Sequence, residues 1–117
     1  MTRRLKLLFV CAMNKRRSVT AEQLYRNDTR VEVRSAGVRS GASRRVSEKD
    51  LRWADVVFVM ERDHKRRIAT QFEGLELPRV DVLDIPDEFE LMAPALIEML
   101  RLMLDPEIDH LLASRDA

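Results

Sequence analysis

A cysteine separated by five residues from an Arg-Ser pair can both hold a phosphoryl group and attack it. Cys11, the chain's only cysteine, ends the apolar run Leu7-Leu8-Phe9-Val10, and Arg17-Ser18 opens Thr20-Ala21-Glu22-Gln23-Leu24-Tyr25, a stretch with good helix formers. Strand, short loop and helix in that order put a sulfur at a sheet edge facing a helix start. Backbone N–H groups of such a loop and first turn lack intrahelical partners and, with the helix dipole, gather an anion. The predicted phosphate-binding segment is Ala12, Met13, Asn14, Lys15, Arg16, Arg17 and Ser18. The same field stabilises a thiolate, the form of cysteine that attacks. Arg17 can present a planar fork to two phosphoryl oxygens, which a lysine's point charge does less well. Asn14 suits a left-handed loop position. A lone cysteine after an apolar run is otherwise a small buried hydrophobe; arginine and serine at the helix start favour the nucleophile instead.

The elements that must position these residues read as strands alternating with helices. Residues 5–10 are almost continuously apolar, as a central parallel strand should be. A helix over about 18–26 ends at Asn27-Asp28, and Val31-Glu32-Val33 alternates like an edge or half-covered strand. Ser35-Ala36-Gly37 is predicted to turn the chain at the same edge as Cys11. Residues 38–47 are small, polar and basic, without periodicity, and read as a mobile loop. Ser47-Glu48-Lys49-Asp50 resembles a helix start leading through Leu51 and Trp53.

A third buried strand over 56–60 precedes a basic helix over 61–70, with His64 expected on its surface. A fourth strand covers 79–83, and 84–90 form an acidic loop. Residues 93–104 repeat apolar side chains at helical spacing, Met99 and Met103 serving as core filler. Asp105-Pro106 is predicted to break that helix and start a short last one carrying His110 on its surface. Four strands alternating with helices make an α/β fold, an open sheet with helices on both faces and its site at the strand C-termini. Cys11, Gly37, Glu61 and Asp84 all fall at those ends.

A chain of 117 residues supports one domain, 1–117, with a real core. Its 45% hydrophobic and 35% charged residues describe a globular protein, and no apolar run is long enough to span a bilayer. The apolar run before Cys11 is also too short for a cleavable signal. A single cysteine permits no intrachain disulfide, which fits a reducing cytoplasm. Two distant histidines make no metal site, so no metal or cofactor is expected. The net charge of +1 conceals 14 Lys and Arg against 6 Asp and Glu in residues 1–60, and 7 against 14 in the remainder. Lys15, Arg16, Arg39, Arg44 and Arg45 therefore offer an electropositive mouth for phosphorylated ligands, with a solvated basic face as the alternative.

Cys-(five residues)-Arg-Ser running into Thr-Ala-Glu resembles the signature of the low-molecular-weight protein tyrosine phosphatases. Ser35-Ala36-Gly37, Ala54-Asp55 before Val56-Val57-Phe58-Val59-Met60-Glu61, and Ile85-Pro86-Asp87 resemble that family's later landmarks in the right order. The resemblance implies a three-layer sandwich with a four-stranded parallel sheet of order 2-1-3-4. It also implies a cysteine-dependent phosphomonoester hydrolase working through a cysteinyl-phosphate, without cofactor. In it Cys11 attacks phosphorus, Arg17 and loop N–H groups hold the oxygens, and Ser18 hydrogen-bonds the thiolate. Asp87 is the general acid by this resemblance, Phe89 standing in the family's aromatic place, with Asp84 as the alternative acid. The family's glycine two residues after the nucleophile is Met13 here, its second cysteine is Arg16, and its pocket tryptophan is missing. Partners are then a phosphorylated protein or a small phosphate ester, with no nucleic acid or membrane, on a monomer or weak dimer. An arsenate reductase of the same fold and a non-catalytic phospho-ligand module are the competing functions.

Overall fold

The computed structural model describes residues 3–116. The elements run β1 (Leu5–Cys11), α1 (Arg17–Tyr25), β2 (Val31–Gly37), α2 (Glu48–Trp53), β3 (Val56–Val59), α3 (Arg62–Gln71), β4 (Arg79–Val82) and α4 (Pro94–Asp116). All strand pairs are parallel and the order is β2-β1-β3-β4, as expected from the resemblance.

Strand β1 is apolar throughout because both of its faces are covered. Leu5, Leu7, Phe9 and Cys11 join Ala21 and Tyr25 of α1 and Leu96, Leu100, Leu104 and Ile108 of α4 in one core layer. Leu8 and Val10, pointing the other way, pack with Leu51 of α2 and Ile68 of α3 in the second. Cys11 therefore faces the α1 and α4 side.

Pro106 lies inside α4 and does not end it. Leu96, Leu100, Leu104 and Ile108 are wholly buried at four-residue intervals, so the packed stripe continues through the proline. The carbonyl that Pro106 leaves without an intrahelical donor belongs to Leu102, a residue 71% exposed. Met99 packs against the core as expected, but Met103 is substantially exposed. Ser35-Ala36-Gly37 continues β2 rather than turning it, with Gly37 opposite Cys11 in register.

Candidate active site

The loop predicted to bind phosphate is shaped by its backbone. Asn14 adopts a left-handed φ of +56°, and its N–H donates to Cys11 Sγ at 3.3 Å. Its side-chain Nδ2 donates to Ser18 Oγ at 2.9 Å, and that hydroxyl lies 2.9 Å from the same sulfur. Cys11, Asn14 and Ser18 are all buried, so two hydrogen-bonding groups reach the sulfur in an environment with little competing water. That arrangement fixes the sulfur's position at the start of the loop.

Strand β2 and the segment after it brace the loop from outside. Val38 N donates to Cys11 O, Arg39 N to Ala12 O and Ser43 N to Met13 O. Residues 38–47, expected to be mobile, are instead stitched to the site by these bonds and by Gly37 N to Arg44 O. The close approach requires glycine at 37, where an added Cβ would lie 2.6 Å from Ala12 O and 3.0 Å from Asn14 N. Met13 occupies the family's glycine position without a positive φ, so the loop needs no glycine there. Its side chain reaches across to Gly41.

Arg17 is 2% exposed and anchored on one side. Its Nη1 donates to Glu61 Oε2 at 2.6 Å and to the Ile85 carbonyl at 2.7 Å. Nε lies 3.8 Å from Asp87 Oδ1. The segments after β3 and β4 thus meet on one guanidinium carried by the first residue of α1. A cavity of about 250 Å³ opens over them, lined by Cys11, Ala12, Met13, Lys15, Arg16, Arg17 and Asp87. Asn14 and Ser18 sit behind the sulfur and hold it.

Asp84, the alternative acid, is elsewhere. It is exposed, takes φ +56° and lines a separate groove with Arg62, Lys65 and Arg66. Among the described residues no group of three or more His, Cys, Asp or Glu could hold a metal ion.

No protein-family model and no curated protein sequence matches the chain. Solved structures do. A cysteine-to-serine variant of the YwlE arginine phosphatase, with a phosphorylated active-site serine, aligns at TM-score 0.67 and 26% identity over 87% of this chain and 95% of that one. The YwlE arginine phosphatase from Geobacillus stearothermophilus aligns at 0.72 and 23% identity over 95% of each. The tyrosine phosphatase Wzb from Escherichia coli K30, in complex with phosphate, aligns at 0.69 and 18% identity over 91% of this chain and 97% of that one. The chain shares the fold of these phosphatases.

Within this fold three sequence expectations change. His64 is not on the surface: it is 3% exposed, its Nδ1 accepting from Glu61 N at 3.2 Å. Burial and then the charge of Arg17 lower its pKa, outweighing Glu61 and Asp63. Helical periodicity missed it because a basic stretch hides one inward position. Arg44 is not a free cation at the mouth, for it donates to Ser35 O at 2.6 Å and pairs with buried Asp50. Burial opposes the charge on Asp50, but the bonds and charge of Arg44, helped by Ser47, hold its carboxyl below the usual range. Phe89, expected to wall the pocket, packs against the core instead, and Met13 provides the apolar rim. Trp53 lies under Arg34, whose guanidinium is 4.2 Å from its ring centroid, away from the site.

Proposed function

We propose that the chain is a phosphomonoester hydrolase in which Cys11 is the nucleophile and Asp87 the general acid. The observation that carries this is the junction of a buried, doubly hydrogen-bonded sulfur with an anchored arginine and a carboxylate on the wall of one small cavity. Phosphate in that cavity meets the unbonded edge of Arg17 and the loop N–H groups. Cys11 sulfur forms the bond to phosphorus as the ester oxygen leaves with a proton from Asp87. The Asp87 carboxylate then takes a proton from water, whose oxygen attacks phosphorus and releases phosphate and the thiolate. Ser18 stabilises the sulfur as it departs.

The substrate reading is a phosphorylated protein or small phosphate ester, with small or highly charged esters preferred over phosphotyrosine peptides. Among the described residues no aromatic side chain lines the cavity, and a ring-specific pocket needs apolar walls. Lys15 and Arg16 stand exposed at its rim and favour multiply anionic ligands. The test is a panel of aryl phosphate, phosphotyrosine, phosphoserine and phosphoarginine peptides, nucleotides and sugar phosphates at two ionic strengths. Turnover with a KM that rises with salt is expected. Strong, salt-insensitive preference for phosphotyrosine removes the substrate reading, and oxyanion binding without turnover of anything leaves a binding module.

The acid assignment has its own comparison. Asp87→Asn should slow esters with poor leaving groups more than those with good ones, because only the former need the proton; general acid–base catalysis is typically worth about 10²–10⁴-fold. Asp84→Asn should do less. The reverse ranking moves the role to Asp84.

A further inference from the structure

His64 is a buried imidazole to which the proposed reaction assigns nothing. It sits in the first turn of α3, and two of its contacts land on Glu61. Glu61 N donates to His64 Nδ1 at 3.2 Å, and His64 Nε2 lies 3.6 Å from Glu61 Oε2. That same carboxylate oxygen accepts the 2.6 Å bond from Arg17 Nη1. Because Nδ1 accepts, the ring's single proton is on Nε2, on the side of the carboxylate. Arg17, Glu61, Asp63 and Arg39 are the charged groups that bear on the ring.

We propose that His64 is a positioning residue for the phosphate-binding guanidinium, acting through Glu61. The geometry explains why such a group is needed. Glu61 is the last residue before α3, and its side chain is 44% exposed, so a carboxylate there is free to swing into water. Arg17 is 2% exposed and among the described residues its Nη1 has only Glu61 and one carbonyl to hold it. The imidazole pins the Glu61 backbone from inside and presents a polar N–H toward its carboxylate. With Glu61 held, Nη1 stays on the protein side and the opposite edge of the fork faces the cavity. Loss of the ring frees the carboxylate, and the guanidinium loses its reference. Arg17 also grips the Ile85 carbonyl, two residues before Asp87, so the effect extends to the loop that carries the acid.

This inference rests on the reading of Arg17 as the phosphate fork, and its experiment separates the two. The Arg17 Nε–H signal, assigned with Arg17→Lys, is followed by NMR for order and solvent exchange, with or without phosphatase activity. In parallel kcat/KM is measured on an aryl phosphate. His64→Ala is expected to broaden the Arg17 signal, speed its exchange and lower kcat/KM roughly five- to tenfold, the scale of one lost hydrogen bond. His64→Asn, whose side-chain carbonyl can accept from Glu61 N, should restore both to within about twofold. In a Glu61→Gln background, His64→Ala should cost less than about twofold more, since the relay is already weakened. An unchanged Arg17 signal in folded His64→Ala overturns the proposal, as does an equal loss in both backgrounds. If His64→Ala does not fold, His64→Asn and Glu61→Gln with Arg17 NMR still decide: an Arg17 signal that stays ordered in Glu61→Gln refutes the relay. A wild-type chain with an ordered Arg17 but no turnover speaks against the hydrolase reading alone.

Discussion

Gly37→Ala should cripple the site while leaving the fold standing. A methyl at this position meets Ala12 O and Ala42 Cβ at 2.6 Å and Asn14 N at 3.0 Å, whereas ordinary contacts begin at 3.4 Å. Two of the obstacles are backbone atoms of the proposed phosphate-binding loop, so relief requires that loop to retreat by roughly 0.8 Å, the shortfall between those distances. Overpacking of this kind costs about 1–3 kcal/mol. For a chain of this size that is a fall in Tm of about 4–12 °C. Activity should suffer more, because misplacing catalytic groups by about 1 Å can cost 10²-fold. Expected, then, are a kcat/KM on aryl phosphate lower by roughly 10²-fold and a modest loss of Tm by thermal circular dichroism. Two internal controls separate the causes. Gly41→Ala meets only the end of the Met13 side chain, at 3.1 Å, and should change little. Gly74→Ala, at φ +89° with nothing within 4 Å, should lower stability by about 1 kcal/mol through backbone strain and leave kcat/KM alone. Wild-type kcat/KM in Gly37→Ala would refute the reasoning that this strand end sets the loop.

Cys11→Ser should abolish turnover yet still bind vanadate or phosphate, since Arg17 and the loop N–H groups remain; calorimetry and mass spectrometry check binding and any trapped phosphoserine, and retained turnover removes the nucleophile assignment. Peroxide should carry Cys11 through sulfenic toward irreversible sulfinic acid, because the chain holds no second cysteine to form a disulfide; fully thiol-reversible inactivation of the monomer contradicts this. Stability should fall on the acid side. The pKa of folded His64 is lowered by burial and by Arg17, so the unfolded chain takes up a proton from about pH 6.5 downward while the folded chain resists. This group's contribution is complete above about pH 6.5 and is lost as pH falls toward the folded pKa, at up to ~1.4 kcal/mol per pH unit. Urea titrations of wild type and His64→Asn across pH 5 to 8 should differ in slope within that window, and parallel curves assign the acid loss elsewhere.

That Cys11, Arg17 and Ser18 come together was legible in the sequence because their spacing is local: one strand, five loop residues and one helix start determine where the three can meet. The four strands were legible too, β1 and β3 as continuous apolar runs because both of their faces are covered, whereas their order came from the family resemblance. Asp87 rather than Asp84 lines the cavity for a reason only the folded chain supplies, namely that Asp84 turns outward at positive φ while Ile85 anchors its carbonyl on Arg17. Pro106 read as a helix stop because local propensity says so, and four fully buried leucine and isoleucine side chains spanning it overrode that propensity. His64 and Arg44 read as surface cations, because a basic stretch carries no mark of which member points inward. Their burial or pairing depends on Glu61 and Arg17 for the first and on Asp50 and Ser35 for the second, partners of which some lie far along the chain. Local chemistry thus follows from spacing along the chain, whereas the holding of that chemistry in place depends on contacts between segments that the chain's order does not make adjacent.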